Sequence, residues 1–238
     1  MTNPVNNTAY AQQHPKKFSE SIRELSQFRQ IYSAAINEIH TKFLNLDQEF
    51  RVTYEHNPIH HIEKRLKNLD SLVEKMERLG IPLTVQDAQT HVHDIAGVRV
   101  ICNYLEDLYA IERLLLMQND VQLIERDDYI KKPKDSGYRS LHITVTIPVF
   151  LSKGTMQVPV EIQFRTVAMD MWASLEHEIK YKAAHPEQLS EENKQKLIDC
   201  SVQLSQLDRT MQEIHQQVMT PFTLKGSLNN SLDDESVE

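Results

Sequence analysis

The chain has 238 residues, a mass of 27.7 kDa and a formal net charge of −8. With 40% hydrophobic and 25% charged residues, its composition is that of a globular protein, and its length suits one well-packed domain with additional helices. The negative charge argues against a protein whose main task is to coat nucleic acid, because that affinity comes largely from lysine and arginine contacts to phosphates. RNA binding is therefore an alternative that the composition does not support.

No apolar run approaches the roughly 20 residues that a membrane-spanning helix needs. The first residues have neither the basic segment nor the apolar core of a signal peptide. Only two cysteines are present, Cys102 and Cys200. We therefore expect a cytoplasmic protein without disulfides and without membrane contact.

Helical periodicity dominates the first part of the chain. Residues 1–14 and 221–238 lack such periodicity, and we expect both segments to be disordered. An N-terminal helical region is predicted over 15–54, where the apolar residues with helical spacing are Leu25, Phe28, Tyr32, Ala35 and Ile39. A second helix is predicted before the first strand, through Ile62, Leu66, Leu69, Val73 and Met76.

Four later segments have the alternation or the β-branched content of strands. They are Ala96 to Tyr104, Val121 to Tyr129, Leu141 to Ile147 before Pro148, and Val158 to Phe164. Helices are predicted between them at Leu105 to Met117, and after them through Ala168, Trp172, Leu175 and Ile179, packed under the sheet. The pattern predicts an α+β fold with its main domain over 55–185.

A C-terminal helix is predicted over 186–220. Its apolar residues recur at alternating steps of three and four, the pattern of a helix that packs lengthwise on another: Leu197, Cys200, Leu204, Leu207, Met211, Ile214 and Val218. Both self-association and a contact within one chain would produce this pattern.

The sequence Asp-Ser-Gly-Tyr-Arg-Ser-Leu-His at 135–142 indicates a nucleotide site. Gly137 allows the backbone to turn sharply and approach a ligand, and Tyr138 offers a flat face for a base. Polar residues with possible ligand contacts surround the tyrosine: Lys134, Ser136, Arg139 and His142. The alternative is a core tyrosine whose hydroxyl is satisfied within the protein.

Two carboxylates are candidates for metal binding and catalysis. Asp94 directly precedes the first predicted strand, and Glu161 shares the polar face of the fourth with Gln163 and Arg165. Carboxylates on separate strands can hold Mg²⁺ beside a nucleoside triphosphate, and one of them can accept a proton from an attacking hydroxyl. The alternative is that both are solvated or salt-bridged surface groups.

Phosphate binding would depend on cationic side chains, because the five glycines are too scattered for a Walker A loop or a G-x-G-x-x-G turn. Arg65, Lys67 and Lys75 lie away from the apolar stripe of the predicted second helix and are candidates for this role. The simpler interpretation is a solvated helix face.

The histidines offer a competing interpretation. The set His60, His61, His91 and the pair His93-Asp94 is similar to the metal ligands of phosphohydrolases. Those enzymes carry the His-Asp pair on helices, whereas this pair leads into a strand. We therefore rank a phosphohydrolase below a nucleotide-dependent transferase.

These segments, in this order, resemble the synthetase domain of the RelA/SpoT family, which makes the alarmones ppGpp and pppGpp. The resemblance covers about residues 55–185, and the chain has no room for the hydrolase and regulatory domains of the long family members. Three further segments resemble small alarmone synthetases of the RelP type: His56 to His61, Cys102 to Leu105 and Met169 to His177. The resemblance implies a nucleotidyltransferase-like mixed sheet of about five strands, with terminal helices that form a homotetramer.

The resemblance also assigns residues to roles. Asp94 would bind Mg²⁺, and Glu161 would be the second metal ligand and would help activate the acceptor hydroxyl. The ATP site would contain Arg65, Lys67, Lys75, Arg99 and Arg126; the GTP site would contain Lys134, Ser136, Tyr138, His142, Gln163 and Arg165. Two positions depart from the family pattern: Ser136 replaces a common asparagine, and Asp127 replaces an arginine, with Arg126 one place earlier.

The implied activity is transfer of the β,γ-pyrophosphate of ATP to the 3′-hydroxyl of GTP or GDP in the bacterial stringent response. The products would be pppGpp or ppGpp and AMP. Two alternatives stay open: another acceptor on the same fold, either tRNA or an adenine nucleotide, and a regulator that binds nucleotide or RNA without catalysis.

Overall fold

The computed structural model describes residues 15–181 and 190–218, which form six helices and five strands. The helices are α1 (Pro15–Thr53), α2 (Leu69–Leu79), α3 (Val85–His91), α4 (Leu105–Leu116), α5 (Val167–Tyr181) and α6 (Glu191–Val218). The strands are β1 (Ile59–Leu66), β2 (Ala96–Cys102), β3 (Gln122–Asp128), β4 (Leu141–Leu151) and β5 (Gly154–Thr166). The disorder predicted for 1–14 and 221–238, and the end of the predicted main domain, lie outside the described residues.

The five strands form one mixed sheet in the order β1-β2-β5-β4-β3. Only β2 and β5 are parallel neighbours; the other three adjacent pairs are antiparallel. The α+β class and the five-strand mixed sheet predicted from sequence are therefore confirmed. The side chains of β2 and β5 point alternately to the two faces of the sheet. One face is apolar and the other is polar.

The long helix α1 covers the apolar face of the sheet. Its inward positions are almost fully buried, including Phe28, Ile39 and Phe43. Phe43 meets Phe164 of β5 edge to face, with 5.9 Å between ring centroids. Burial also raises the pKa of the Tyr32 phenol on this helix to about 12. The helix leaves the opposite face of the sheet free for polar residues.

The segment before α2 is a strand, so the predicted helix from Ile62 to Met76 is wrong over its first half. From Ile59 to Leu66 the chain pairs antiparallel with β2, and the Lys67 amide donates to the Ile95 carbonyl oxygen at 2.9 Å. Pairing with a neighbouring strand outweighs the local apolar spacing, because strand formation depends strongly on such partners. From residue 15 onward, one helix rather than two precedes the first strand.

The helix α2 begins only at Leu69, where the Asn68 side chain caps its N-terminus. Its buried face is formed by Leu72 and Met76. Val73, which the sequence pattern assigned to the apolar stripe, is 39% exposed.

The two C-terminal helices pack on each other but leave apolar residues outside. In α5, Trp172 is buried, whereas Leu175 and Ile179 are exposed, so the prediction that the whole stripe packs under the sheet is wrong. The helix α6 runs from Glu191 to Val218 within the predicted 186–220, but five of its seven predicted seam residues are exposed: Cys200, Leu207, Met211, Ile214 and Val218. Within residues 15–181 and 190–218, no helix has the length and apolarity to cross a membrane.

Candidate active site

Sheet register aligns two rows of side chains across the polar face. One row runs Glu63, Arg99, Gln163, His142 and Asp127 from β1 to β3. The next row runs Arg65, Gly97, Glu161 and Thr144 from β1 to β4. Directly paired residues in neighbouring strands lie on the same face, so residues that are 64 positions apart, such as Arg99 and Gln163, become neighbours.

Gly97 opens a gap in the second row. It lies between Arg65 and Glu161, and a Cβ added there would lie 3.4 Å from the Arg65 carbonyl oxygen. A cavity of about 410 Å³ occupies this part of the face, and Lys67 and Asp94 contribute to its lining. The cavity therefore joins the cationic residues near α2 to the carboxylate of β5.

Asp94 is held by two lysines at the start of β2. Lys67 Nζ lies 2.8 Å from one carboxylate oxygen, and Lys75 Nζ lies 2.8 Å from the other. Burial raises the pKa of Asp94, but the hydrogen bonds and charges of the two lysines outweigh burial and lower that pKa below its ordinary value. The carboxylate is therefore ionised near neutral pH, with a lysine ammonium group beside each of its oxygens.

Glu161 is held on its own side of the face. Gln163 Nε2 donates to its Oε2 at 2.7 Å, and His142 Nδ1 lies 3.6 Å from its Oε1. Burial raises the pKa of Glu161, yet contacts with His142 and Gln163 outweigh burial and the repulsion of Asp94, so the pKa is lowered. An ionised carboxylate in this position can accept a proton from a hydroxyl bound beside it.

Tyr138 lies at the edge of the face, where its hydroxyl joins two strands. Arg165 donates to this hydroxyl at 2.7 Å, and the hydroxyl lies 2.8 Å from His142 Nε2. Lys134 Nζ is 5.4 Å from the tyrosine ring centroid, within the range of a cation–π contact. Tyr138 is half-buried rather than part of the core, which favours the ligand-facing interpretation.

A second cavity, of about 420 Å³, lies beside Tyr138. It shares Arg65, Arg99 and Gln163 with the first cavity, so the two form adjoining parts of one site. The Nε atoms of Arg99 and Arg165 are buried without a hydrogen-bond partner. Buried cationic donors of this kind fit an anionic ligand.

The carboxylates fit Mg²⁺ rather than a metal held by protein alone. Within the described ranges, no group of three or more His, Cys, Asp or Glu residues could hold a metal ion. Mg²⁺ is commonly bound by one or two carboxylates together with water and substrate phosphates. Asp94 and Glu161 both line the first cavity and suit this kind of binding, whereas the histidine-rich set expected of a phosphohydrolase does not assemble among the described residues.

The structure brings together most predicted site residues but not Arg126. Arg126 pairs with Glu112 of α4, with contacts of 2.6 and 3.0 Å, and lines a separate cavity with His56 and His215. The reason is strand parity: Arg126 faces Ile143 of β4 and therefore lies on the apolar face. The structure therefore does not bring Arg126 to the other residues predicted for the ATP site. Ser136 lies in the loop before Tyr138 and is half-buried.

Two acidic residues of the site were missed from sequence. Glu63 lies 2.8 Å from Arg99, and Asp170 lies 2.9 Å from Arg165 and 3.4 Å from Arg99. Asp170 stood within the segment Met169 to His177 that carried the family resemblance, but no role was assigned to it. These carboxylates orient the two arginines between the cavities.

Comparison with known proteins places this site in a family. Residues 64–186 match the family described as a region found in RelA / SpoT proteins, which is more than half of the chain. The chain belongs to this family. The region extends from β1 to a few residues beyond α5 and thus includes the carboxylates, the lysines and the Tyr138 loop.

Relatives in the RelA/SpoT family include small enzymes of similar length. GTP pyrophosphokinase YwaC of Bacillus subtilis is 42% identical over 167 residues, covering 69% of this chain and 80% of that protein. The crystal structure of small alarmone synthetase 1 from Bacillus subtilis, bound to its product pppGpp, has a TM-score of 0.76 and 33% identity, with 83% of this chain and 99% of that chain covered. The same enzyme bound to AMPCPP has a TM-score of 0.70 and 29% identity, over 84% of this chain and 100% of that chain.

Proposed function

We propose that this protein is a GTP pyrophosphokinase, a small alarmone synthetase that makes pppGpp from GTP or ppGpp from GDP, with AMP as the other product. The observation that carries the proposal is the arrangement of one sheet face, where Glu161 lies between the lysine-bound Asp94 and the Tyr138 loop. Its relatives are named as GTP pyrophosphokinases and small alarmone synthetases, and they match over most of their length.

ATP would occupy the side of the face near α2. Lys67 and Lys75 are close enough to Asp94 to neutralise phosphate oxygens beside it. Arg65 and Arg99 line both cavities and offer planar guanidinium groups to the adenine ring. Mg²⁺, held by Asp94 and Glu161, would neutralise the negative charge of the triphosphate and polarise its phosphorus centres.

The acceptor would occupy the side near β4, with its guanine on the Tyr138 ring. Lys134 and His142 lie beside this ring for phosphate contacts, Ser136 precedes it in the same loop, and Gln163 and Arg165 line the intervening surface. This placement brings the ribose 3′-hydroxyl toward Glu161, which accepts its proton. The 3′-oxygen attacks the β-phosphorus of ATP, the bond between the α-phosphate oxygen and the β-phosphorus breaks, and AMP leaves with that oxygen.

Incubation of the purified protein with ATP, Mg²⁺ and either GTP or GDP tests this proposal. Anion exchange and mass measurement should identify AMP in equal amount to a guanosine penta- or tetraphosphate. Parallel reactions with ATP alone as acceptor, and with tRNA, test the alternative acceptors. AMP without a guanosine product would contradict the proposed acceptor, and nucleotide binding without AMP would contradict catalysis.

We extend the proposal to the setting of the enzyme. A homotetramer would use the exposed apolar residues of α6, and activity in the cytoplasm would serve the stringent response. Self-association is supported by the apolar stripe of four exposed residues, Leu207, Met211, Ile214 and Val218, which is large for a solvated helix.

A further inference from the structure

The helix α6 lies against the loop that carries Tyr138. Residues 191–218 follow the region that matches the family, yet the buried side of this helix reaches the candidate acceptor site. Two of its polar residues are buried, Ser201 and Gln212, which are 4% and 8% exposed. Buried polar side chains require partners, and the partners of these two lie on different parts of the domain.

Ser201 reaches the acceptor loop directly. Its hydroxyl donates a hydrogen bond to the Gly137 carbonyl oxygen, one residue before Tyr138. Gln212 contacts a separate place, because its Oε1 accepts a hydrogen bond from the Glu106 amide at 3.0 Å at the start of α4. Of the two buried residues, Ser201 therefore contacts the loop, whereas Gln212 only docks the helix.

Gly137 fits closely between this loop and α6. Its φ of +89° is in the region that favours glycine. A Cβ added at this position would lie 3.1 Å from the Ser201 Cβ and 3.3 Å from the Ile198 Cα. The loop backbone therefore rests on the helix itself, with no room for a side chain between them.

The loop also has its own turn, and the Tyr138 side chain is held separately by Arg165 and His142. The Gly137 amide donates to the Lys134 carbonyl oxygen at 2.8 Å, and the Lys134 amide donates to the Tyr138 carbonyl oxygen at 3.2 Å. Residues 131–135 are exposed, whereas Gly137 is buried where it meets α6. The contact with Ser201 is thus positioned to fix the orientation of the turn that presents Tyr138.

Two further hydrogen bonds fix the position of α6 along the domain. Thr166 Oγ1 donates to Asp208 at 2.7 Å at the end of β5, one residue after Arg165. Trp172 Nε1 of α5 donates to the Leu197 carbonyl oxygen at 2.9 Å. Because these contacts lie on either side of Ser201, the serine is held at a fixed place opposite Gly137.

We propose that Ser201 is a positioning residue for the acceptor nucleotide, which acts through the Gly137 carbonyl to hold Tyr138 where guanine binds. The inference rests on the proposed function, because it assigns a cause to acceptor affinity in that reaction. It gives α6 a role in substrate selection that is separate from any role in self-association.

Steady-state kinetics of Ser201→Ala tests this role. We expect the KM for GTP to rise about tenfold, the effect of losing one buried hydrogen bond, while the KM for ATP and kcat at saturating GTP change less than about twofold. Ser201→Cys keeps the shape and a weak donor, so its KM for GTP should lie between those of Ser201→Ala and the wild type. This graded response keeps the test decisive if Ser201→Ala folds poorly.

Two control variants separate positioning from general stability. Gln212→Ala removes the other buried contact of α6 and should lower the melting temperature without raising the KM for GTP. Thr210→Ala removes an exposed hydroxyl that bonds within α6, at the Gln206 carbonyl oxygen, and should leave both KM values unchanged. Equal increases of KM for GTP and ATP in Ser201→Ala, or no increase for GTP, would overturn the inference.

The wild-type reaction distinguishes this inference from the proposed function. If the wild type forms no guanosine tetra- or pentaphosphate, the proposed function itself fails, and the inference fails with it. If the wild type is active and Ser201→Ala has an unchanged KM for GTP, the inference alone fails.

Discussion

The Nδ1 atom of His142 lies 3.6 Å from Oε1 of Glu161, while the other nitrogen of the same ring lies 2.8 Å from the Tyr138 hydroxyl. Arg165 donates to that hydroxyl, so the hydroxyl proton is free to point toward His142 Nε2. When it does so, His142 Nε2 accepts that proton's hydrogen bond, and Nδ1 is the ring nitrogen that faces Glu161. The imidazole therefore connects the Tyr138 loop to Glu161, the carboxylate that we propose as the base for the acceptor hydroxyl.

Replacement of Glu161 by glutamine should strongly reduce turnover while nucleotide binding remains. The amide keeps the size of the side chain but cannot accept the hydroxyl proton, and general-base catalysis contributes at least about a hundredfold to rate. Measured kcat should fall by about that factor, with nucleotide dissociation constants from calorimetry changed only slightly. Glu125→Gln is the matched control, because Glu125 lies in the same cross-strand row on the exposed edge strand β3. Full turnover in Glu161→Gln would refute the role of this carboxylate.

Replacement of Tyr138 by alanine should weaken guanine nucleotide binding far more than ATP binding. Stacking of a base on an aromatic ring is worth about 1–3 kcal/mol, so the dissociation constant of GTP should rise roughly tenfold to a hundredfold. Tyr138→Phe keeps the ring and loses only the hydroxyl contacts with Arg165 and His142, so its effect should be smaller. Calorimetric titration of each variant with GTP and with AMPCPP measures both affinities. Equal weakening of the two ligands would contradict the stacking role.

The sequence predicted the central strands, and it placed Asp94 and Glu161 on or beside them, because these signals are local. Asp94 directly precedes a β-branched strand, and Glu161 alternates with apolar residues within one strand. The edge strand β1 was missed because its definition depends on pairing with β2, whereas its apolar spacing matched a helix. The partners Glu63 and Asp170 were missed because sheet register and chain reversal, rather than local pattern, bring them to Arg99.

The position of Arg126, away from the other residues predicted for the ATP site, can be tested directly. Arg126→Ala should leave the KM for ATP unchanged but lower the free energy of unfolding by about 2 kcal/mol, since it leaves the buried Glu112 carboxylate without its partner. Arg99→Ala should raise the KM for ATP, because Arg99 lines both cavities. Arg113→Ala removes an exposed arginine of α4 and serves as the control for stability. An increased KM for ATP in Arg126→Ala would restore its original assignment.

The exposed apolar stripe of α6 should support self-association. Met211 and Ile214 are 45% and 49% exposed, and burial of both against another copy would be favourable. The double change of Met211 and Ile214 to lysine should shift the protein to a smaller species in sedimentation velocity. Glu213→Lys, an exposed change on the same helix, should leave the sedimentation coefficient unchanged. A monomeric wild type would rule out this prediction.

The carboxylate of Asp208 should make stability depend on pH in a definite direction. Burial raises the pKa of Asp208 above its ordinary value of 3.8, although the Thr166 hydrogen bond and the charge of Arg139 partly oppose that increase. A carboxyl group whose pKa is higher in the folded state favours folding below its unfolded pKa, and this contribution is lost as pH rises through the folded pKa. Ionisation of Asp208 therefore costs stability at neutral pH.

Asp208→Asn should remove this cost, since the asparagine carbonyl can still accept the Thr166 hydrogen bond. We expect a higher melting temperature than the wild type at pH 7, and the difference should shrink steadily as pH falls toward 4. Asp199→Asn changes an exposed carboxylate of the same helix, which accepts a hydrogen bond from Gln195, and should show no such trend. Melting curves of the three proteins from pH 7 to pH 4 measure the effect. A gain that is equal at both ends of this range, or a loss at pH 7, would show that burial does not control the ionisation of Asp208.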